Sequence, residues 1–191
     1  MSSWFRTYGF AEILPGLLIG AYPLDGDDVK MLDWLGIQRI LNLCEDREYA
    51  AGQREAVQAA LTAKEIEEAR ICLQDFGGLP SVYLEQAVEQ INSWLDADAR
   101  IYVHCRAGWQ RSATVAAAVV CVREHLDPDG AIAFVQRAKP TAEPLPHQRE
   151  DLERWFYDRP TGGGEVAPQR ADATAPDPAG APIPQPADAE P

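Results

Sequence analysis

The chain of 191 residues has few basic side chains for its size, with 17 lysines and arginines against 30 aspartates and glutamates. A chain with a formal net charge of −13 lacks the positive surface charge that binding to nucleic acid or to an anionic bilayer requires. Long apolar runs are missing too. The longest without a charge, Ser112 to Val122, is too short to span a membrane. The first residues lack an apolar run after their charge, so no signal peptide is expected.

Cysteine and histidine are also scarce. Four cysteines and three histidines show neither the spacing of a zinc site nor the pattern of a secreted disulfide framework. We therefore expect no metal and no cofactor, and we expect a reduced, cytoplasmic protein. His125 and His147 are interpreted as surface or packing residues. We expect a monomer with no nucleic-acid partner, and we do not expect membrane binding.

What the sequence does have is one chemically distinctive stretch, residues 101–114. Its β-branched and aromatic start predicts a buried strand, and the Ala- and Val-rich residues from Ser112 to about Leu126 predict a buried helix. The tight loop between them begins with Cys105 and ends with Arg111. Such a strand–loop–helix directs loop N–H groups and the positive end of the helix dipole into one concavity. The sequence therefore predicts an anion site that contains a thiol.

This arrangement favours chemistry on phosphate monoesters. A free thiol has a pKa of ~8.5, which a helix N-terminus and nearby cations lower to roughly 3.5–7.5, so Cys105 is expected to be a nucleophilic thiolate. The forked guanidinium of Arg111 can hold two phosphoryl oxygens at once. Gly108 lets the backbone turn without a Cβ in the way. The hydroxyl of Ser112 can hydrogen-bond to the sulfur and help it leave in the second step.

The sequence His-Cys-Arg-Ala-Gly-Trp-Gln-Arg-Ser-Ala-Thr, residues 104–114, resembles the His-Cys-x5-Arg-Ser/Thr signature of the cysteine-dependent protein-tyrosine phosphatase superfamily. It is most similar to the dual-specificity branch. The resemblance implies that His104 supports the cysteine by fixing its orientation and lowering its pKa. It also implies a phosphate-binding loop of Arg106, Ala107, Gly108, Trp109, Gln110 and Arg111.

Asp75 is the candidate general acid. Expelling a tyrosyl or seryl oxygen needs a proton, and hydrolysing a thiol-phosphate needs a base, so one carboxyl can serve in both steps. Asp75 lies thirty residues before Cys105 in a predicted loop and resembles the family's general acid in spacing and setting. Gly77 and Gly78 would let this loop close over substrate. The alternatives are that Asp75 only caps a turn, or that Asp46, which also follows a strand, is the acid.

Cys44 has two interpretations. It ends a predicted strand, Ile37 to Cys44, that should lie beside the strand leading to Cys105. The Asn-Leu-Cys segment is similar to one in the tensin-like lipid phosphatases, and that resemblance implies a reversible disulfide between Cys44 and the nucleophile. The alternative is a small buried apolar residue.

Strands alternating with helices predict an α/β fold, a central and mostly parallel sheet flanked by helices on both faces. The phosphate-binding loop then lies between a central strand and a helix. We predict a phosphatase domain over residues 1–159 and, over residues 160–191, a disordered acidic tail with eight prolines. The other predicted elements are two strands within Ala11–Gly20, a strand Ala69–Leu73, and helices Asp25–Leu35, Glu45–Glu68, Ser81–Leu95, Asp127 to near Pro140, and His147–Tyr157.

The predicted function is hydrolysis of phosphate monoesters through a cysteinyl-phosphate, with protein phosphotyrosine as substrate and phosphoserine and phosphothreonine as further candidates. The alternative is a phospholipid phosphatase, because residues 75–81 and the loop look somewhat like phosphatidylglycerophosphate phosphatases of mitochondrial type. Phosphoinositide phosphatases place lysines inside the loop, whereas here only Arg106 precedes Arg111 as a basic residue. A non-catalytic phosphate-binding module or a rhodanese-like sulfurtransferase is less favoured, since a sulfurtransferase would need neither Asp75 nor Ser112.

Overall fold

The computed structural model describes residues 1–159. These residues form a five-stranded sheet in the order β1-β2-β5-β3-β4, in which β1 is antiparallel to β2 and all other neighbours are parallel. The predicted mostly parallel sheet is therefore confirmed, with the strand of the signature at its centre. The strands are β1 Phe10–Leu14, β2 Leu17–Gly20, β3 Arg39–Asn42, β4 Glu67–Arg70 and β5 Ile101–His104.

Helices cover both faces of the sheet, as predicted. Alternate residues of the paired central strands point to opposite faces. Tyr102 of β5 belongs to an apolar cluster with residues of α1, α2 and α3, whereas Val103 belongs to a larger cluster with residues of α4 to α7. The helices are α1 Ser3–Tyr8, α2 Gly26–Trp34, α3 Gln53–Ala63, α4 Ser81–Asp96, α5 Arg111–Arg123, α6 Pro128–Ala138 and α7 Pro146–Asp158.

The helix predicted over Glu45–Glu68 is wrong. The segment contains a short 3₁₀ turn, Asp46–Glu48, then α3, and then β4, which begins at Glu67 rather than at Ala69. Gly52 has a φ of +74° and interrupts the helical backbone before α3. β4 pairs only with β3 at the edge of the sheet and its residues are exposed or half-buried. It therefore lacks the apolar pattern that identifies a buried strand in a sequence.

Two helix starts differ in their caps. The side chain of Asp127 caps α6 by accepting a hydrogen bond from the Gly130 N–H, with Pro128 in the first turn. At α4, Pro80 occupies the cap position without a side-chain hydrogen bond, and Ser81 is the first helical residue. The tail predicted from Pro160 lies outside the described residues. Within residues 1–159, no helix combines the length and hydropathy needed to cross a membrane.

Candidate active site

The loop between β5 and α5 is packed tightly against the end of β2. Gly108 has a φ of +76°, and a Cβ there would lie 2.5 Å from the carbonyl carbon of Gly20. The Arg106 carbonyl accepts a hydrogen bond from the Tyr22 N–H at 3.1 Å. The Trp109 carbonyl accepts a hydrogen bond from the Glu143 N–H, in the segment before α7, at 2.7 Å. The loop conformation is thus held by glycine geometry and by two backbone contacts.

Cys105 lies where β5 ends, and α5 begins six residues later at Arg111. Its side chain is almost wholly buried, with 3% of the residue exposed, and it lines a cleft of about 370 Å³. The Sγ of Cys105 is 3.4 Å from the Oγ of Ser112, in the first turn of α5. The sequence-predicted thiol and hydroxyl therefore lie together, near the positive end of a helix dipole.

The guanidinium of Arg111 is buried and held by several acceptors. Its Nη1 donates to Oε1 of Glu48 at 2.7 Å and to the Leu73 carbonyl at 2.8 Å. Its Nη2 donates at 2.7 Å to Oε2 of Glu48 and at 2.7 Å to Oδ1 of Asp75. Burial alone would lower the pKa of Arg111, but the hydrogen bond to Glu48 and the nearby negative charges raise it. Arg111 is therefore a permanent cation in a fixed orientation.

Glu48 is a site residue that the sequence analysis missed. Its side chain is only 4% exposed and makes a two-pronged contact with Arg111. It also accepts a hydrogen bond from the Glu45 N–H at 2.8 Å. Burial raises the pKa of Glu48, but these hydrogen bonds and the Arg111 charge outweigh it and lower the pKa overall. The charged segment around Glu48 reads as a solvated helix start, and nothing in its local pattern reveals a partner sixty-three residues away.

The two candidate acids lie in different places. Asp75 lines the cleft together with Cys105 and contacts Arg111, and its side chain is 20% exposed. Asp46 is 82% exposed and pairs with Arg70 at 2.8 Å, outside the cleft. Only Asp75 therefore belongs to the group of side chains around the thiol.

Cys44 and His104 lie behind the loop. Burial lowers the pKa of His104 to about 3, so its imidazole is neutral. Its Nδ1 is 3.3 Å from the Cys105 carbonyl, so the ring supports the loop by a hydrogen bond rather than by a positive charge. The Sγ of Cys44 is 4.0 Å from the same Nδ1, and burial raises the pKa of the Cys44 thiol. β3 and β5 are neighbours, as predicted, whereas His125 and His147 are exposed.

Aromatic side chains form the outer part of the cleft. Trp4 and Tyr8 of α1 have ring centroids 4.1 Å apart, and Tyr8 lies 5.2 Å from the ring of Trp109. Phe76, beside Asp75, also lines the cleft and is 66% exposed. None of these contacts is among the sequence-based predictions above, which do not include α1. A serine followed by aromatic residues at helical spacing was the available signal.

α1 is anchored at both ends by hydrogen bonds, which fixes the rings of Trp4 and Tyr8. These two rings are called the aromatic wall of the cleft. The N–H and Oγ of Ser2 donate to the buried carboxylate of Asp28 at 2.6 and 2.7 Å. At the other end, Nζ of the buried Lys139 donates to the Tyr8 carbonyl at 2.8 Å. Between them, Phe5 is wholly buried beneath the helix. Trp4 and Tyr8 are therefore held in place beside the loop between β5 and α5.

The cleft brings together a thiol, a guanidinium cation in a fixed orientation and a carboxyl group. Within residues 1–159, no group of three or more His, Cys, Asp or Glu side chains is arranged to hold a metal ion. A site with these parts can transfer an acyl or phosphoryl group to sulfur, and the arginine selects for an anionic group such as phosphoryl.

Known proteins resemble this chain over most of the described residues. Residues 18–157 match the family model of the dual specificity phosphatase catalytic domain. Dual specificity protein phosphatase 4 of Homo sapiens is 30% identical over 138 residues, which are 71% of this chain and 32% of that protein. Dual specificity protein phosphatase 1 of Homo sapiens is 30% identical over 140 residues, 71% of this chain and 34% of that protein. The chain thus spans about a third of the length of these relatives.

Solved structures show the same fold. Tk-PTP in its active form gives a TM-score of 0.69 at 19% identity, covering 78% of this chain and 97% of that one. PTPMT1 gives a TM-score of 0.68 at 22% identity, covering 78% and 94%. The family model spans the strand, the loop with Cys105 and Arg111, and the Asp75 loop. The chain therefore belongs to the dual specificity phosphatase family, a branch of the cysteine-dependent protein-tyrosine phosphatase superfamily.

Proposed function

We propose that the protein hydrolyses phosphate monoesters through a cysteinyl-phosphate intermediate. The observation that carries this proposal is the meeting of Cys105, Arg111 and Asp75 in one cleft. The thiolate of Cys105 attacks phosphorus and forms an S–P bond as the ester P–O bond breaks. Asp75 gives its proton to the leaving oxygen. Asp75 then takes a proton from water, which attacks phosphorus, and the sulfur leaves with help from the Ser112 hydroxyl.

The hydrogen bonds of Arg111 suggest how it exchanges partners when phosphate binds. Its Nε is buried and has no hydrogen-bond partner among the described residues, whereas one N–H of Nη2 is taken by Asp75. A phosphoryl group that bridges Nε and Nη2 would displace Asp75 from Nη2. Its carboxyl would then be free to face the leaving oxygen, while Glu48 keeps the guanidinium aligned.

The experiment that tests this proposal is hydrolysis of a small aryl phosphate. Turnover should survive excess EDTA, because no step uses a metal, and orthovanadate should block it by mimicking phosphate. A requirement for added Mg²⁺ or Zn²⁺ would place the protein in another reaction class. Binding of tungstate without any turnover would identify a non-catalytic phosphate-binding module.

Phosphotyrosine in proteins is the substrate we propose. The aromatic rings of Trp4, Tyr8, Phe76 and Trp109 favour a planar, apolar group next to the phosphate. The one cation between Cys105 and Arg111 is Arg106, whose guanidinium lies 6.0 Å from the ring of Trp4. That leaves little positive charge for a polyphosphorylated lipid head group. Phosphoserine and phosphothreonine peptides are further candidates.

A side-by-side assay separates this substrate from the phospholipid alternative. We expect higher kcat/KM for a phosphotyrosine peptide than for a phosphothreonine peptide or for phosphatidylglycerophosphate in vesicles. Faster turnover of the lipid would make the protein a phospholipid phosphatase with the same chemistry.

A reversible disulfide between Cys44 and Cys105 stays a prediction. The alternative is that Cys44 is a buried residue that only contributes to core packing. Mild peroxide followed by dithiothreitol should restore the wild type, whereas Cys44→Ser should proceed to irreversible oxidation of Cys105. Equal recovery of both proteins would assign Cys44 to packing.

We also propose a cytoplasmic location, because all four cysteines are unpaired.

A further inference from the structure

The loop that carries Asp75 is fastened at its start by the sheet. The Leu73 N–H donates to the Leu43 carbonyl at 3.2 Å, and the Leu73 carbonyl accepts from Nη1 of Arg111 at 2.8 Å. These contacts continue the pairing beyond β3 and fix the backbone two residues before Asp75. They belong to the site described above.

The far end of the loop is fastened by α7. Nε2 of Gln148 donates to the Gly77 carbonyl at 2.8 Å, and Oδ2 of Asp151 accepts from the Leu79 N–H at 2.7 Å. Gln148 is wholly buried and Asp151 is three residues further on, so both lie on one face of α7. A Cβ on Gly78 would lie 2.7 Å from Oδ2 of Asp151, which shows how closely the loop backbone packs on this carboxylate.

α7 is a firm base for these contacts. Leu152 and Trp155 are buried in the main apolar cluster, and Nε1 of Trp155 donates to Glu85 of α4 at 2.6 Å. Oε1 of Gln148 is itself fixed, since it accepts from the Leu145 N–H at 3.1 Å. A side-chain pair held in this way can transmit the position of α7 to the loop.

Between these two ends, the segment around Asp75 has few contacts with the rest of the protein. The Gly77 N–H donates to the Gln74 carbonyl at 3.0 Å, which closes a turn within the loop itself. The Asp75 N–H is 3.3 Å from Oε2 of Glu45, a long contact, and Phe76 is exposed with a φ of +56°. We propose that Asp151 and Gln148 are positioning residues, which hold the loop so that Asp75 stays beside Arg111 and Cys105. The loop is then preset for reaction, and the free closure expected from Gly77 and Gly78 is restrained by α7. This inference rests on the proposed role of Asp75 as general acid.

The test compares leaving groups in four variants. Asp151→Ala removes the acceptor for the Leu79 N–H. Asp151→Asn keeps an oxygen at the same place, and Gln148→Glu removes the donor to the Gly77 carbonyl. Arg154→Ala is the matched control, because Arg154 is mostly exposed and donates to Oδ1 of Asp151, not to the Oδ2 that accepts from the Leu79 N–H.

A misplaced acid should harm only reactions that need its proton. In Asp151→Ala and Gln148→Glu we expect kcat for a phosphotyrosine peptide to fall by about 10- to 100-fold, the size of a misplacement of roughly 1 Å. An aryl phosphate with a strongly acidic leaving phenol should lose less than about threefold, since a stable leaving anion needs little protonation. Asp151→Asn should recover most of the loss, and Arg154→Ala should match the wild type. Hydrogen exchange over residues 74–80 should speed up in Asp151→Ala and not in Arg154→Ala.

The variants also separate failure of this inference from failure of the proposed function. If Asp75→Asn shows the leaving-group effect and Asp151→Ala does not, Asp75 is the acid and the positioning role is wrong. Equal losses for both substrates in Asp151→Ala, with unchanged exchange over residues 74–80, would overturn it as well. If Asp75→Asn itself lacks the effect, the general acid is wrongly assigned and the positioning role has nothing to act on.

Discussion

Two carboxylates contact the same guanidinium at the same distance, yet their surroundings differ. Glu48 and Asp75 each lie 2.7 Å from Nη2 of Arg111. Glu48 is 4% exposed, also bonds Nη1, and lies outside the lining of the cleft, whereas Asp75 is 20% exposed, bonds Nη2 alone and lines the cleft. The difference shows that a buried, two-pronged contact suits a residue that aligns Arg111. A single contact at the cleft suits one that exchanges partners during catalysis.

Replacing Arg111, which contacts both carboxylates, should cause the largest loss of activity. Arg111→Lys should be nearly as damaging as Arg111→Ala, because a lysine cannot bond both oxygens of Glu48 and still hold a phosphoryl group with a fork. We expect kcat/KM to fall on the order of 10³-fold or more in both variants, the size typical of an arginine that stabilises a phosphoryl transition state. Steady-state kinetics with an aryl phosphate checks this. Near wild-type activity in the lysine variant would show that charge alone is sufficient.

Removing the charge of each carboxylate in turn tests their separate roles. Asp75→Asn should cost about 10²–10⁴-fold for a tyrosyl leaving group, the usual size of a general-acid contribution, and less for an acidic phenol. The pH profile of the wild type should be bell-shaped, and its alkaline limb should flatten in the variant, since that limb reports loss of the acid's proton. Glu48→Gln should instead lower turnover of both substrates equally, because it disturbs Arg111 and not the proton.

Glu48→Gln should also destabilise the fold, by on the order of 3 kcal/mol, because it leaves a buried cation with one partner fewer. Denaturant unfolding measures this loss, and Asp75→Asn is the matched control with a smaller expected change. If both variants gave the same leaving-group dependence, the two carboxylates would not differ in role.

Shortening the aromatic wall should give a smaller and selective effect. Tyr8→Ala and Trp4→Ala remove rings that line the cleft but touch no reacting group. We expect KM for a phosphotyrosine peptide to rise by about 2- to 10-fold, since an aromatic contact contributes roughly 0.5–1.5 kcal/mol beyond its area. KM for a phosphothreonine peptide should change little. The exposed Trp34→Ala is a control, and equal changes for both peptides would argue against recognition of the aryl group.

His104 is a third buried titratable residue, and unlike the two carboxylates it makes no ion pair within residues 1–159. The folded protein takes up a proton on His104 only near pH 3, whereas the unfolded chain takes one up below a pH of about 6.5. The free energy of unfolding should therefore fall by about 1.4 kcal/mol per unit as the pH is lowered below 6.5. His104→Asn should lose this slope and the exposed His147→Asn should keep it. Urea unfolding from pH 7 to 5 measures both, and equal slopes in wild type and His104→Asn would contradict the burial argument.

The sequence predicts the thiol, the arginine and the central strand of a mostly parallel sheet because each leaves a local pattern. Ile101–Val103 alternate between two buried faces, and Cys105 to Arg111 span one loop. β4 was misplaced since an edge strand with the sequence Glu-Glu-Ala-Arg has no apolar pattern. Glu48 and α1 were missed for a different reason, because their importance lies in contacts with residues far away in the chain.

Direct detection of the covalent intermediate tests the central claim. Asp75→Asn should slow hydrolysis of the S–P bond, because it lacks the base for the attacking water, so the intermediate should accumulate with an aryl phosphate that has a good leaving group. After a rapid quench, intact-protein and peptide mass spectrometry should find one phosphoryl group, attached to Cys105. Cys105→Ser in the same background should show neither phosphoryl group nor turnover, while it still binds tungstate. Turnover without a phosphorylated Cys105, or with the phosphoryl group on another residue, would contradict the account.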